Sequence, residues 1–157
     1  MREKPGREMR FWAMLCHLSG LLAWMLLFFL VFLGLPLYLP LNVLAPLLIW
    51  QYKKSQYPWI DFQGKESLNF QISFTVYTLI IIVIVISLSL LVTSFGVAVT
   101  SNGNADKFST TLNSLVVLFL FLTSLILVSQ SFLVTFAAIR AYNGQHYRYP
   151  LTIRVLR

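Results

Sequence analysis

The chain has 157 residues, of which 58% are apolar, 15% aromatic and only 11% charged, with 12 basic residues against five acidic ones and a formal net charge of +7. About a quarter of the residues of a soluble domain are charged, so an ordinary water-soluble fold is excluded, and a mean hydropathy of +0.77 agrees. The length suits one small membrane domain, 1–157, and so few acidic side chains leave little for carboxylate chemistry.

Charges are costly in hydrocarbon, so the charge-free runs mark the spans: residues 11–52, 67–105 and 108–139 carry none. A helix needs about 20 apolar residues to cross a bilayer. The first run is long enough for two helices, and its punctuation divides it. Phe11 to Leu33 is unbroken and apolar, giving helix one at about 11–33. Gly34-Leu35-Pro36-Leu37-Tyr38-Leu39-Pro40 then concentrates residues that stop helices. The return helix, about 37–52, contains Pro46, which lacks an N–H and clashes with the carbonyl of Asn42. It is therefore expected to be short and kinked. A cytoplasmic loop is expected over 53–67, helix three over about 68–98 and helix four over about 109–142. Asn102-Gly103-Asn104 reads as the outer turn, Ser109 as a cap and Gly144 as a C-terminal stop before a basic tail, 143–157.

The expected fold class is thus an all-α integral membrane protein with four transmembrane helices. Four crossings put every Lys and Arg except Lys107 on one side, whereas three would divide them five against seven. Basic residues favour the cytoplasmic side, so both termini are expected there. Phe11–Leu33 exceeds a signal-peptide core of about 7–15 residues and lacks a small-residue cleavage site. It is expected to remain in a plasma or thylakoid-type membrane.

Little in the sequence suggests catalysis. Cys16-His17 stands out, but adjacent residues point to different faces of a helix, and a zinc site needs three or four ligands. The only other histidine, His146, lies far away, so packing is the expected role and no metal or catalytic residue is assigned. No charged residue falls inside a span, and no G-x-S-x-G, H-E-x-x-H or phosphate-binding glycine loop is present. No cofactor is expected and the chain is read as a non-enzyme. The basic residues gather at helix ends, where topology and anionic headgroups account for them without nucleic acid.

Two polar stripes are the candidate functional features. Glu66, Asn69, Ser73 and Tyr77 recur at i, i+3, i+7 and i+11 on one helix face, running from the cytoplasmic surface into the membrane. Interhelical hydrogen bonding accounts for such a stripe without any substrate; the other reading is the lining of a cavity or path. In helix four, Ser124, Ser131 and Thr135 form a similar line, and Gln130 is expected to face protein rather than lipid. Glu66 and Arg140, at the cytoplasmic ends of helices three and four, are expected to pair.

Four blocks carry a resemblance: Trp12-Ala13-Met14-Leu15-Cys16-His17-Leu18-Ser19-Gly20, Asn42 to Trp50, Gly64 to Ser73, and Ala137 to Gly144 leading into Tyr147 to Arg154. Together they resemble a small bacterial four-helix membrane-protein family grouped with the twenty-kilodalton subunit of the chloroplast inner-envelope import translocon. The resemblance implies a four-helix bundle with both ends on one side, in a bacterial inner membrane or a thylakoid-type membrane. It transfers no catalytic residue. Matching positions, among them Asn42, Pro46, Glu66, Asn69 and Arg140, are candidate structural or interaction determinants.

Two functional expectations follow. The first is an accessory or assembly subunit of a larger membrane complex, with the lipid bilayer and other membrane subunits or further copies of itself as partners. The alternative is a channel or translocon-like component whose polar path is formed as an oligomer or with a partner.

Overall fold

A computed structural model describes residues 5–34, 40–100 and 105–156. Its helices are α1 (Arg7–Phe32), α2 (Leu41–Lys53), α3 (Pro58–Thr100) and α4 (Ala105–Tyr142), and no strand occurs among the described residues. The chain divides into two compact units, Met1–Thr75 with Gln130–Arg157, and Val76–Ser129. Residues 35–39 of the expected first turn and the Asn102-Gly103-Asn104 turn lie outside the described residues.

In the first unit, α1 opens with Glu8, a negative charge favourable beside the positive end of the helix dipole. Past its end, Gly34 takes the left-handed backbone (φ 74°) that glycine adopts without steric cost. Its buried face is built from small residues, Ala13, Cys16, Gly20 and Ala23. Their spacing of three and four lets another backbone approach closely. Leu22, Met25 and Phe29, around the other side, are exposed.

Helix α2 has 13 residues, about 20 Å at 1.5 Å per residue, against about 30 Å of hydrocarbon. It matches the short helix expected at 37–52, but cannot cross alone. Three of the four helices are long and apolar enough to span, within Arg7–Leu27, Pro58–Ser94 and Ser109–Tyr142. Helix α2 nevertheless returns to where α1 began. Lys53 Nζ lies 4.0 Å from the Glu8 carboxylate and 4.8 Å from the Trp12 ring centre. Pro46 is buried inside α2 and removes one donor from its ladder.

The loop expected over 53–67 shrinks to residues 54–57. Helix α3 begins at Pro58 rather than at 68, because proline is well placed in a first helical turn, where its missing N–H costs nothing. The Tyr57 carbonyl accepts from the Ile60 and Asp61 amides at 3.0 and 3.2 Å. Burial then keeps the polar stretch helical, since Ile60, Gln63, Ser67 and Phe70 form one inward face at helical spacing. Gly64 is required there, because a Cβ would run into the Trp50 ring. The Trp50 indole donates to Asp61 Oδ1 at 3.0 Å, fixing the end of α2 to the first turns of α3.

Helix α4 ends in a Schellman turn: Gln145 N donates to Arg140 O at 2.9 Å, Gly144 N to Ala141 O at 3.0 Å, and Gly144 has φ 75°. This is the stop the sequence predicts. In the second unit, Ile81, Val85 and Leu88 of α3 share an apolar cleft with Leu115, Leu118 and Leu122 of α4. Around it Val83, Leu90, Val117 and Phe121 are each more than 60% exposed, as expected of side chains whose solvent is lipid.

Candidate functional site

The chemistry-bearing side chains of the first unit meet beneath the C-terminal tail. Residues 145–156 run back over the first part of α3, and polar side chains of that helix hold the tail backbone. Asn69, 1% exposed, makes three bonds to it. Its Nδ2 donates to Leu156 O at 2.9 Å, while Oδ1 accepts from the Val155 and Leu156 amides at 3.1 and 2.8 Å. One turn on, Ser73 Oγ accepts from the Ile153 amide at 2.7 Å and donates to Asn69 O at 2.7 Å. An amide side chain is suited to this task because it offers a donor and an acceptor side by side, as a neighbouring strand would.

Deeper, a directional chain links the tail to α1. Gln63 Nε2 donates to Gln145 O at 3.0 Å, so its Oε1 is the atom facing His17 Nε2, also at 3.0 Å. That nitrogen must donate. In a neutral imidazole the other then accepts, so Tyr149 O–H donates to His17 Nδ1 at 3.0 Å. Burial pushes the Tyr149 hydroxyl well above the ordinary tyrosine value, with Tyr147 and Glu66 acting in the same direction. The Tyr149 ring stacks on Phe70 at 4.1 Å and meets Tyr147 edge-on, while His146 stacks on Trp59 at 4.3 Å. Aromatic packing therefore supports the same docking as the hydrogen bonds.

Helix contacts complete the network. Ser67 Oγ donates to Cys16 O at 2.8 Å, Asn42 Nδ2 to Thr75 Oγ1 at 2.9 Å, and Gln130 Nε2 to Gln71 Oε1 at 3.2 Å. Gln71 lies directly over Gly20, with no room for a Cβ between them.

Of the residues singled out in the sequence, Asn69 and Ser73 hold the tail, Gln130 is buried and faces protein, and Asn42 and Pro46 are buried in α2. Glu66 is 6% exposed and its Oε2 has no hydrogen-bond partner. Arg140 does not pair with it: no such ion pair occurs among the described residues, and Arg140 Nη1 donates to Gln145 Oε1 at 2.9 Å instead. The Schellman turn brings Gln145 within reach of the residue it closes on. Tyr77 belongs to the second unit and is 40% exposed. Gln71, one of the positions matched by the resemblance, is buried against Gly20 and Gln130, whereas Gln63, Ser67 and Tyr149 were not singled out. The alternation of Tyr147, Tyr149 and Leu151 beyond a helix stop was the available sign of a docked extended segment. Among the described residues, no group of three or more His, Cys, Asp or Glu is placed to hold a metal ion.

No curated protein and no solved structure matches this chain. A family profile does, over residues 8–156, that of the magnetosome magnetite crystal formation protein family. This match gives no support to a grouping with the chloroplast translocon subunit or to a thylakoid-type membrane. It covers the helices and the tail that locks them, and the chain belongs to the magnetosome magnetite crystal formation protein family, a family of small bacterial membrane proteins.

Proposed function

We propose that the chain is a non-enzymatic accessory protein of a bacterial membrane that encloses a growing mineral, with both ends on the cytoplasmic side, acting through contacts with other membrane proteins. The observation that carries this reading is that the chain itself occupies the middle of the polar stripe. Asn69 and Ser73 are engaged by the chain's own tail, and Gln71 and Gln130 by each other. Polar groups paired internally order helices and leave no open row for a permeating solute. The five acidic residues are scattered along the sequence, which favours a role through the membrane and its proteins rather than direct chelation of iron.

The test is to tag the full chain, solubilise its native membrane in mild detergent and weigh intact complexes by mass spectrometry. A partner at fixed stoichiometry is the expected result. Recovery only as an isolated monomer under gentle conditions overturns the reading.

The channel reading keeps one supporting feature, the proline inside a short α2, since broken helices often meet solute or water in transporters. It predicts solute flux into sealed vesicles holding the purified protein, and absence of flux removes it.

A further inference from the structure

One pocket of the first unit lies beside the tail-docking network. It has a volume of about 250 Å³ and lies between the first turns of α3 and the end of the tail. Two carboxylates and three cations line it: Asp61, Glu66, Lys65, Arg148 and Arg154. Asp61 is already committed, to Lys65 at 2.8 Å and to the Trp50 indole. Glu66 is not. It is 6% exposed, and its Oε2 is sealed from water without a hydrogen-bond partner. Arg148 and Arg154 are exposed and make no ion pair among the described residues.

The pocket thus offers a buried carboxylate lacking a donor and two exposed guanidiniums lacking an anion. A carboxylate buried without a partner is costly, and a primary ammonium answers it with three N–H donors. Guanidiniums match phosphate oxygens in a bidentate fork. Phe62, whose ring centre lies 5.7 Å from the Arg148 guanidinium carbon, and Leu156 supply apolar wall. The location fits as well, because the charge-free run of α3 begins at residue 67, so residues 61–66 stand at headgroup level.

We propose that this pocket seats the headgroup of a phosphatidylethanolamine, with its ammonium on Glu66 and its phosphate between Arg148 and Arg154. The lipid is chosen by needing both charges. A phosphatidylglycerol headgroup satisfies only the arginines. A phosphatidylcholine headgroup carries a trimethylated nitrogen with no N–H to give.

The experiment is native mass spectrometry of the full chain in detergent, titrated with phosphatidylethanolamine, phosphatidylcholine or phosphatidylglycerol of identical acyl chains. Phosphatidylethanolamine is expected to be retained roughly tenfold better than phosphatidylcholine, the factor that one charge-assisted hydrogen bond supplies. Glu66→Gln, which keeps the shape and removes the charge, is expected to lower the ratio of phosphatidylethanolamine to phosphatidylglycerol by a similar factor. Arg154→Ala, at an exposed position that leaves the fold intact, is expected to weaken both of those lipids. Equal retention of phosphatidylcholine and phosphatidylethanolamine overturns the proposal. So does an unchanged ratio in Glu66→Gln, which reduces the site to a basic patch. Competition by soluble glycerophosphoethanolamine at comparable concentration assigns the pocket to a free headgroup and overturns the lipid.

Discussion

Asn69→Ala separates tail docking from folding of the bundle. The side chain makes three hydrogen bonds to residues 155 and 156, and truncation leaves two amides and a carbonyl without partners. Each bond contributes about 0.5–1.5 kcal/mol net, and the three lie where water only partly replaces them. The summed loss is about 2–4 kcal/mol, or roughly 30- to 1000-fold in the docking equilibrium. Since 1% of Asn69 is exposed, a small cavity adds to the loss. The readout is amide hydrogen exchange of residues 145–156 in detergent micelles, together with trimming by carboxypeptidase. Protection of the tail is expected to fall by that factor, while helix content by circular dichroism stays unchanged. Asn69→Asp refines the test: it keeps acceptors for the two amides but sets a carboxylate against Leu156 O, so it is expected to fall between wild type and alanine. Unchanged tail protection in Asn69→Ala would refute the assignment of this side chain as the tail's anchor.

Three further predictions follow from the same network. Gly20→Ala drives a Cβ into the Gln71 carboxamide and lifts it from Gln130; a loss of about 1–3 kcal/mol in thermal unfolding is expected, and a neutral result denies the close approach of α1 and α3. Tyr149 titrates higher in the folded chain than in the unfolded one, so its contribution to docking is whole below about pH 10 and lost as pH rises through the folded value. Tail proteolysis should therefore accelerate in strong alkali, and Tyr149→Phe should blunt that acceleration while weakening docking at neutral pH by about 1 kcal/mol. Arg140→Glu should cost less than about 1 kcal/mol because its bond to Gln145 is exposed, whereas Glu66→Arg should be severe. The double mutant should be no better than Glu66→Arg alone, and a rescue would restore the pairing that the structure lacks.

What was legible in the sequence depends on the range of the interaction that decides it. Gly144 and Gly34 mark helix ends through their own backbone conformation, a local property that residue type reveals. The charge distribution likewise locates the shared end of the helices, because each Lys or Arg carries its cost individually. Helix α3 starts earlier than its local residues suggest, since Pro58, Asp61 and Gly64 disfavour a helix interior by propensity. Tertiary burial overrides that preference: Gly64 accepts the Trp50 ring, and Gln63 is 0% exposed under the tail. The stripe of Glu66, Asn69 and Ser73 was visible as a helical face, but its occupant was not. Asn69 and Leu156 are 87 positions apart, and an extended segment read by helix side chains has no periodicity of its own. Tyr77 shows the limit of the pattern, because the stripe continues at helical spacing beyond the residues that the tail reaches.

The location of the network bears on how such a protein recognises anything. In lipid the hydrophobic effect does not drive one helix against another, so specificity rests on small residues and hydrogen bonds. In this chain the small face of α1 and the amide and hydroxyl groups of α3 supply both, and they converge on a tail fixed by a handful of bonds. The second unit presents leucine, isoleucine, valine and phenylalanine, whose exposed surfaces lipid chains satisfy as well as a protein can. On the accessory reading proposed above, a partner that must be distinguished from lipid would be read at the tail, where Arg140, Arg148 and Arg154 provide exposed charge over an ordered backbone. Weakening the tail by Asn69→Ala should then reduce recovery of a bound partner while the helices stay intact, which ties the accessory reading to one side chain.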